Sequence, residues 1–196
     1  MRGFSPALRL GALLLLLPLL LGCSPPRAEF HATDVSGADF GRDLRLRDSA
    51  GNWRTLAEFR GKAVMVFFGF TQCPAVCPTA LLNAAEVRRG LGAEGEKVQV
   101  LFVTLDPERD TPALLHQYAG AFDPSFIALY GNLEETKAVA QEFRVFYQKV
   151  ATGDSYTVDH SALTYIYDRQ GRLRLVVSHS QAVADTISDL RSLLRS

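Results

Sequence analysis

Apolar positions along this chain fall into uninterrupted runs and into helically spaced sets, and the two kinds predict different elements. Ala63 to Phe70 (AVMVFFGF) and Val98 to Leu105 (VQVLFVTL) are continuous apolar runs of strand length, as expected for strands buried on both faces. Between them Pro78 suits the first turn of a helix. From Thr79 to Leu91 the apolar residues Leu81, Leu82, Ala85 and Leu91 then recur at helical spacing. Upstream, Leu44 to Asp48 and Trp53 to Leu56 bracket the turn formers Ser49 to Asn52, which predicts a β-hairpin. Downstream, Asp106 to Pro112 is a charged loop. Asp110 or Thr111 there caps a helix that starts at Pro112 and runs to about Ala121. Phe126 to Tyr130 reads as a short strand, and Leu133 to Phe143 as a helix with one apolar face. Two hairpins follow, Val145 to Val150 with Tyr156 to Val158, and Ala162 to Tyr167 with Leu173 to Val177. An amphipathic helix from Ala182 to Leu194 closes the chain.

A β-α-β unit followed by an antiparallel hairpin and a final helix is the order of the thioredoxin-like α/β fold. Here it is extended by an N-terminal hairpin and by an insertion before the C-terminal hairpin and helix. The carboxyl ends of parallel strands share one sheet edge, where α/β proteins place their sites. Thr71 to Cys77 and Asp106 to Thr111 both follow such strands. A strand antiparallel to them starts at that edge, so Asp159 and His160, just before Ala162, are expected to arrive there too.

The first residues change the picture of where this domain works. Arg2 and Arg9 precede an apolar run from Leu10 to Leu21. A membrane-spanning helix needs about 20 apolar residues, so the run reads as an export signal over residues 1–22. Leu20, Leu21, Gly22 and Cys23 resemble the lipobox of bacterial lipoproteins, which predicts lipidation of Cys23; a signal kept as an uncleaved anchor is the alternative. Residues 23–38 then read as a lipidated cysteine and tether, and 39–196 as one extracytoplasmic, membrane-anchored domain on the periplasmic side or cell surface. Charge is balanced, 21 basic against 21 acidic residues, and no stretch gathers Lys and Arg with aromatics, which argues against a nucleic-acid partner.

With Cys23 lipidated, Cys73 and Cys77 remain as a pair in an oxidising compartment. They flank a predicted helix N-terminus, which favours thiolate over thiol. Their spacing lets the sulfurs join in a disulfide or converge on a soft metal ion, and forces neither. A purely structural disulfide is the plain alternative. Two thiolates and the His160 imidazole form a small, mostly soft donor set that suits copper as Cu(I) or Cu(II), with zinc as competitor; a polar residue at the start of a strand is the plain reading of His160. Asp106 is the candidate for an outer hydrogen-bond acceptor, and Asp159 stands beside the histidine. Asp110 reads as a cap in a solvated loop, while Phe67, Phe68 and Phe70 belong to the strand core, with Phe70 placed to shield the site. His31, His116 and His179 read as surface or packing residues. The same thiols without His160 would serve a thiol-disulfide reductase, although the three-residue spacer argues mildly against that as the main role. A thiol peroxidase is weaker still, since nothing resembles a dedicated peroxide pocket.

Three blocks, FFGFTQCPAVCPTAL, VTLDPERDTPALL with Tyr118 after it, and YTVDHSALTYIYDRQG, together resemble the signature motifs of the Sco (SenC) family. The resemblance runs from about Asp39 to the last helix. It implies a membrane-tethered, thioredoxin-like copper protein that assists assembly of the dinuclear copper centre of cytochrome c oxidase. The oxidase copper-centre subunit is then its partner, and a thioredoxin-like reductant a second one. It also implies Cys73, Cys77 and His160 as copper ligands. Gln72 and Ala75 depart from the family pattern, where histidine and an acidic or polar residue are common. Neither position is a ligand, and the missing carboxylate bears on affinity or redox potential.

Overall fold

The computed structural model describes residues 29–195. The stretch expected as an export signal and Cys23 lie outside the described residues. Ten strands and four helices follow in the order β1 (Thr33–Asp34), β2 (Arg45–Asp48), β3 (Trp53–Thr55), β4 (Ala63–Gly69), α1 (Val76–Gly90), β5 (Val98–Thr104), α2 (Pro112–Phe122), β6 (Ile127–Tyr130), α3 (Leu133–Glu142), β7 (Tyr147–Thr152), β8 (Ser155–His160), β9 (Leu163–Tyr167), β10 (Leu173–Ser178) and α4 (Val183–Arg195). Eight strands make one sheet in the order β1-β10-β9-β4-β5-β6-β2-β3, while β7 and β8 pair only with each other. β4, β5 and β6 run parallel, and β9 is antiparallel to β4, with Phe67 opposite Thr164. The units β4-α1-β5 and β9-β10-α4 form the thioredoxin-like core.

Every residue of β4 and β5 is buried, which is why both read as unbroken apolar runs. Side chains alternate across β4. Phe68 meets Phe143 at the end of α3 and Tyr165 of β9, with ring centroids at 4.9 and 5.9 Å. Phe67 points the other way, stacked with Phe102 at 6.3 Å on the side where Phe102 meets Tyr118 of α2.

The helix starts at Val76, between the two cysteines, so Cys77 lies in its first turn and Pro78 in that same turn, as expected, at its third position. Proline is tolerated there because the first backbone N–H groups have no partner within the helix. Two expectations change. Asp106 and Asp110 at the two ends of the loop 106–110 are buried, while Glu108 between them is exposed. The cap of α2 is Thr111, whose side chain accepts from the Leu114 N–H. Finally, the stretch expected as tether up to residue 38 is in part bound to the domain. Thr33 and Asp34 pair with β10, and the backbone N–H groups of His31 and Ala32 donate to the buried Asp189 carboxylate at 2.9 Å each.

Candidate metal centre

The site forms where the parallel strands end. After β4 the chain turns through Thr71 to Ala75 into α1, and Ala75 at the N-cap offers no side-chain acceptor. The Cys73 sulfur takes that role, accepting from the Cys77 N–H at 3.4 Å. Pro78 has no N–H to satisfy, so this single bond serves the second position of the helix. Cys73 is half-buried, Cys77 is fully buried, and both are free thiols.

Across the cleft, β8 ends at His160. Its Nε2 lies 3.6 Å from the Cys77 sulfur, and Nδ1 lies 3.1 Å from the Ser161 carbonyl. The Ser161 carbonyl gives an Nδ1–H an acceptor that holds the ring orientation, and in that tautomer the Nε2 lone pair is the one a metal at the sulfurs would use. The two sulfurs and one ring nitrogen lie within 4.8 Å of one another. Donors of one ion sit about 2.0–2.3 Å from it, so no two of them can be more than about 4.6 Å apart. A contraction of a few tenths of an ångström therefore closes this set around one ion. Phe67 and Phe70 meet the imidazole in T-shaped ring contacts, with centroids at 6.2 and 6.0 Å, and Phe70 lines the cleft beside it.

The thiols differ electrostatically. The Cys77 side chain, hydrogen-bonded to Cys73, pulls the Cys73 thiol down to about 4, against burial; backbone groups of Cys77 and Ala75 and the His160 side chain add to this. Cys77 is pushed up by sharing a proton with the Cys73 thiolate and by its own burial. Metal-free, the pair is a half-exposed thiolate beside a buried thiol.

The acidic candidates separate. Asp106 meets Arg109 through its Oδ2 and accepts from the Tyr156 hydroxyl at 2.7 Å, so its carboxylate is directed at the β7-β8 hairpin and not at a ligand. Asp159 is exposed, in the wall of the cleft that Cys73, Pro74, Ala75 and His160 also line. Asp110, read as a cap, is instead the carboxylate beneath the cysteine loop. It accepts from the Thr71 N–H at 3.1 Å, the Thr71 hydroxyl at 2.5 Å and the Thr104 hydroxyl at 2.6 Å. Burial pushes its carboxyl up, with those hydrogen bonds opposing. His31, His116 and His179 are exposed and lie outside the cluster.

Sequence reasoning did not single out Gly69. A Cβ there would lie 2.6 Å from the Cys77 sulfur, 3.0 Å from Phe102 and 3.1 Å from Phe67, so the missing side chain is the space the thiol occupies. A glycine inside an otherwise apolar strand was the available signal. Tyr118 has a buried hydroxyl with no hydrogen-bond partner among the described residues. Burial and the nearby cysteine charges keep it protonated.

The sequence profile of SCO1/SenC matches residues 32–195. The chain belongs to the SCO1/SenC family. A SCO2-like protein of Rickettsia felis is 36% identical over 165 residues, which cover 83% of this chain and 80% of that protein. Among solved structures, Bradyrhizobium japonicum ScoI with copper bound is 39% identical, with a TM-score of 0.72 over 80% of this chain and 99% of ScoI. Apo Sco1 of Thermus thermophilus is also 39% identical, with a TM-score of 0.75 over 86% and 99%. Among the described residues no helix is long and apolar enough to cross a membrane.

Proposed function

We propose that this SCO1/SenC protein binds one copper ion through Cys73, Cys77 and His160 and passes it to the copper-centre subunit of cytochrome c oxidase. The observation that carries the reading is the convergence of two sulfurs and one imidazole nitrogen within 4.8 Å. Two thiolates suit Cu(I), and the imidazole extends the set to Cu(II). Copper bound in the structure of the related ScoI supports this choice over zinc. Gln72, Pro74 and Ala75 are exposed beside the cleft, which makes that rim the face for ligand exchange with an acceptor. A lipid on Cys23 would hold the domain at the outer face of the membrane; Cys23→Ser should then lose the N-terminal lipid mass and the membrane fraction.

The test is copper binding by the reduced full chain in detergent, compared with Cys73→Ser and His160→Ala. The expected result is one equivalent of copper for the parent chain, loss of binding for Cys73→Ser, and selective loss of Cu(II) for His160→Ala. Full retention in both variants would overturn the ligand set. A second reading, reduction of a partner's copper-site cysteines, is favoured by the half-exposed thiolate at Cys73 beside a buried thiol. Disulfide turnover that is independent of His160 would establish it, with a thioredoxin-like reductant needed to restore the dithiol.

A further inference from the structure

His160 rides on a hairpin that does not belong to the main sheet. β7 and β8 pair with each other alone, and Val158 is the one fully buried residue of the two strands. At its base the Ser161 N–H donates to the Phe146 carbonyl at 2.9 Å, and the Phe146 N–H to the Ser161 hydroxyl at 3.2 Å. Apolar anchorage of the arm comes from Val158 and from the partly buried Tyr147 and Tyr156, so the polar contacts made around Tyr156 bear strongly on where it lies.

Those contacts come from the loop that follows β5. Arg109 donates from Nη1 to the Tyr156 carbonyl at 2.8 Å, and its guanidinium lies 3.7 Å over the Tyr156 ring. The Tyr156 hydroxyl donates to Asp106 at 2.7 Å, and Asp106 in turn meets Arg109 Nε. Lys149 on the neighbouring strand reaches over the same ring, at 4.6 Å, and pairs with Glu108. Asp106 and its partners thus grip the hairpin four residues before His160. Four residues later in the same loop, Asp110 grips Thr71 under the cysteine loop. One short loop therefore touches the segment that holds the sulfurs and the segment that holds the imidazole.

We propose that Arg109, Tyr156 and Asp106 form a latch that positions His160 against the two thiols, so that the state of the latch decides between a three-donor and a two-thiolate site. The inference rests on the reading of His160 as a metal ligand. With the latch closed, Nε2 completes the set. With it open, the hairpin carries the imidazole away while Asp110 keeps the cysteine loop in place. Arg109 and Tyr156 are positioning residues, since neither touches the bound ion. The charge pair, the ring contact and the hydroxyl bond link Arg109, Asp106 and Tyr156 two by two in a closed triangle, so the members should act as a unit and not additively.

The experiment uses the full chain in detergent with Arg109→Ala, Tyr156→Phe and the double variant, loaded separately with Cu(I) and Cu(II). Tyr156→Phe keeps the ring and removes only the bond to Asp106, so it remains informative should Arg109→Ala fold poorly. The expected result is a loss of Cu(II) affinity of tenfold or more, with a changed Cu(II) spin-resonance spectrum and Cu(I) affinity within threefold of the parent. The double variant should be little worse than Arg109→Ala alone. Amide hydrogen exchange in residues 147–160 should quicken in the metal-free variants while β4 and β5 stay protected. Parent-like Cu(II) affinity and spectrum in Tyr156→Phe and Arg109→Ala would overturn the latch, provided His160→Ala does lose Cu(II). If His160→Ala itself keeps the parent's Cu(II) site, the ligand reading fails first and the latch falls with it. An equal loss of both copper states, or protection lost throughout the chain, would show general destabilisation and would also overturn the positioning role.

Discussion

Gly69→Ala places one methyl group where the Cys77 sulfur now sits. The added Cβ would lie 2.6 Å from that sulfur, with Phe102 at 3.0 Å and Phe67 at 3.1 Å. Heavy atoms in good contact stay about 3.5 Å apart or more, so the sulfur must retreat by about 1 Å into a packed core. The backbone at Gly69 is ordinary strand, so alanine gains about 0.4–1 kcal/mol by restricting the unfolded chain. Overpacking opposes this with about 1–3 kcal/mol, which leaves a net destabilisation centred on about 1 kcal/mol and reaching about 2.6 kcal/mol. Urea unfolding of the reduced, metal-free chain measures it. The cause is isolated by repeating the substitution in a Cys77→Ala chain, where the sulfur is gone. There the penalty should shrink by about 1 kcal/mol, although the two rings still crowd the methyl group. Moving a donor by such a distance should also weaken copper binding about 10–100-fold. Unchanged stability and copper affinity in Gly69→Ala, or the same penalty with and without the sulfur, would refute the claim that this glycine makes room for the thiol.

Two further outcomes follow from the site and its surroundings. Because Cys73 is pulled down to about 4, its alkylation by iodoacetamide should be nearly independent of pH between about pH 6 and 8 and should slow only as the pH falls toward that value. An ordinary thiol near 8.5 would instead speed up about tenfold per unit over that range, and such a slope would contradict the thiolate assignment. Asp189→Ala leaves the His31 and Ala32 N–H groups without their acceptor, and should cost about 1–3 kcal/mol while exposing residues 29–37 to limited proteolysis. Parent-like resistance to protease would show that pairing with β10 alone holds the segment.

The elements that position the site were legible because their chemistry is local. β4 and β5 are buried on both faces and their sequences say so without interruption. Once the β-α-β unit was recognised, the shared edge of parallel strands brought Cys73, Cys77 and His160 together before any coordinate was needed. What stayed hidden depends on partners distant in sequence. Asp106 and Asp110 sit among charged residues in a loop, the pattern of a solvated segment. Their burial follows from Tyr156 and Arg109 on one side and Thr71 and Thr104 on the other. Pro78 announced the first turn of α1 without fixing its position within that turn. β1 is two polar residues paired with β10, far along the chain, just after the His31 and Ala32 N–H groups that Asp189 holds, and nothing in Thr33 or Asp34 announces a strand.

The central claim is that one copper ion is held by both sulfurs and the His160 nitrogen together. X-ray absorption at the copper edge, on the full chain loaded with one equivalent, reads that donor set directly. The account predicts two sulfur neighbours and one imidazole nitrogen per copper, with the imidazole signal absent in His160→Ala. A coordination shell without sulfur, or a nitrogen signal that persists unchanged in His160→Ala, would contradict it.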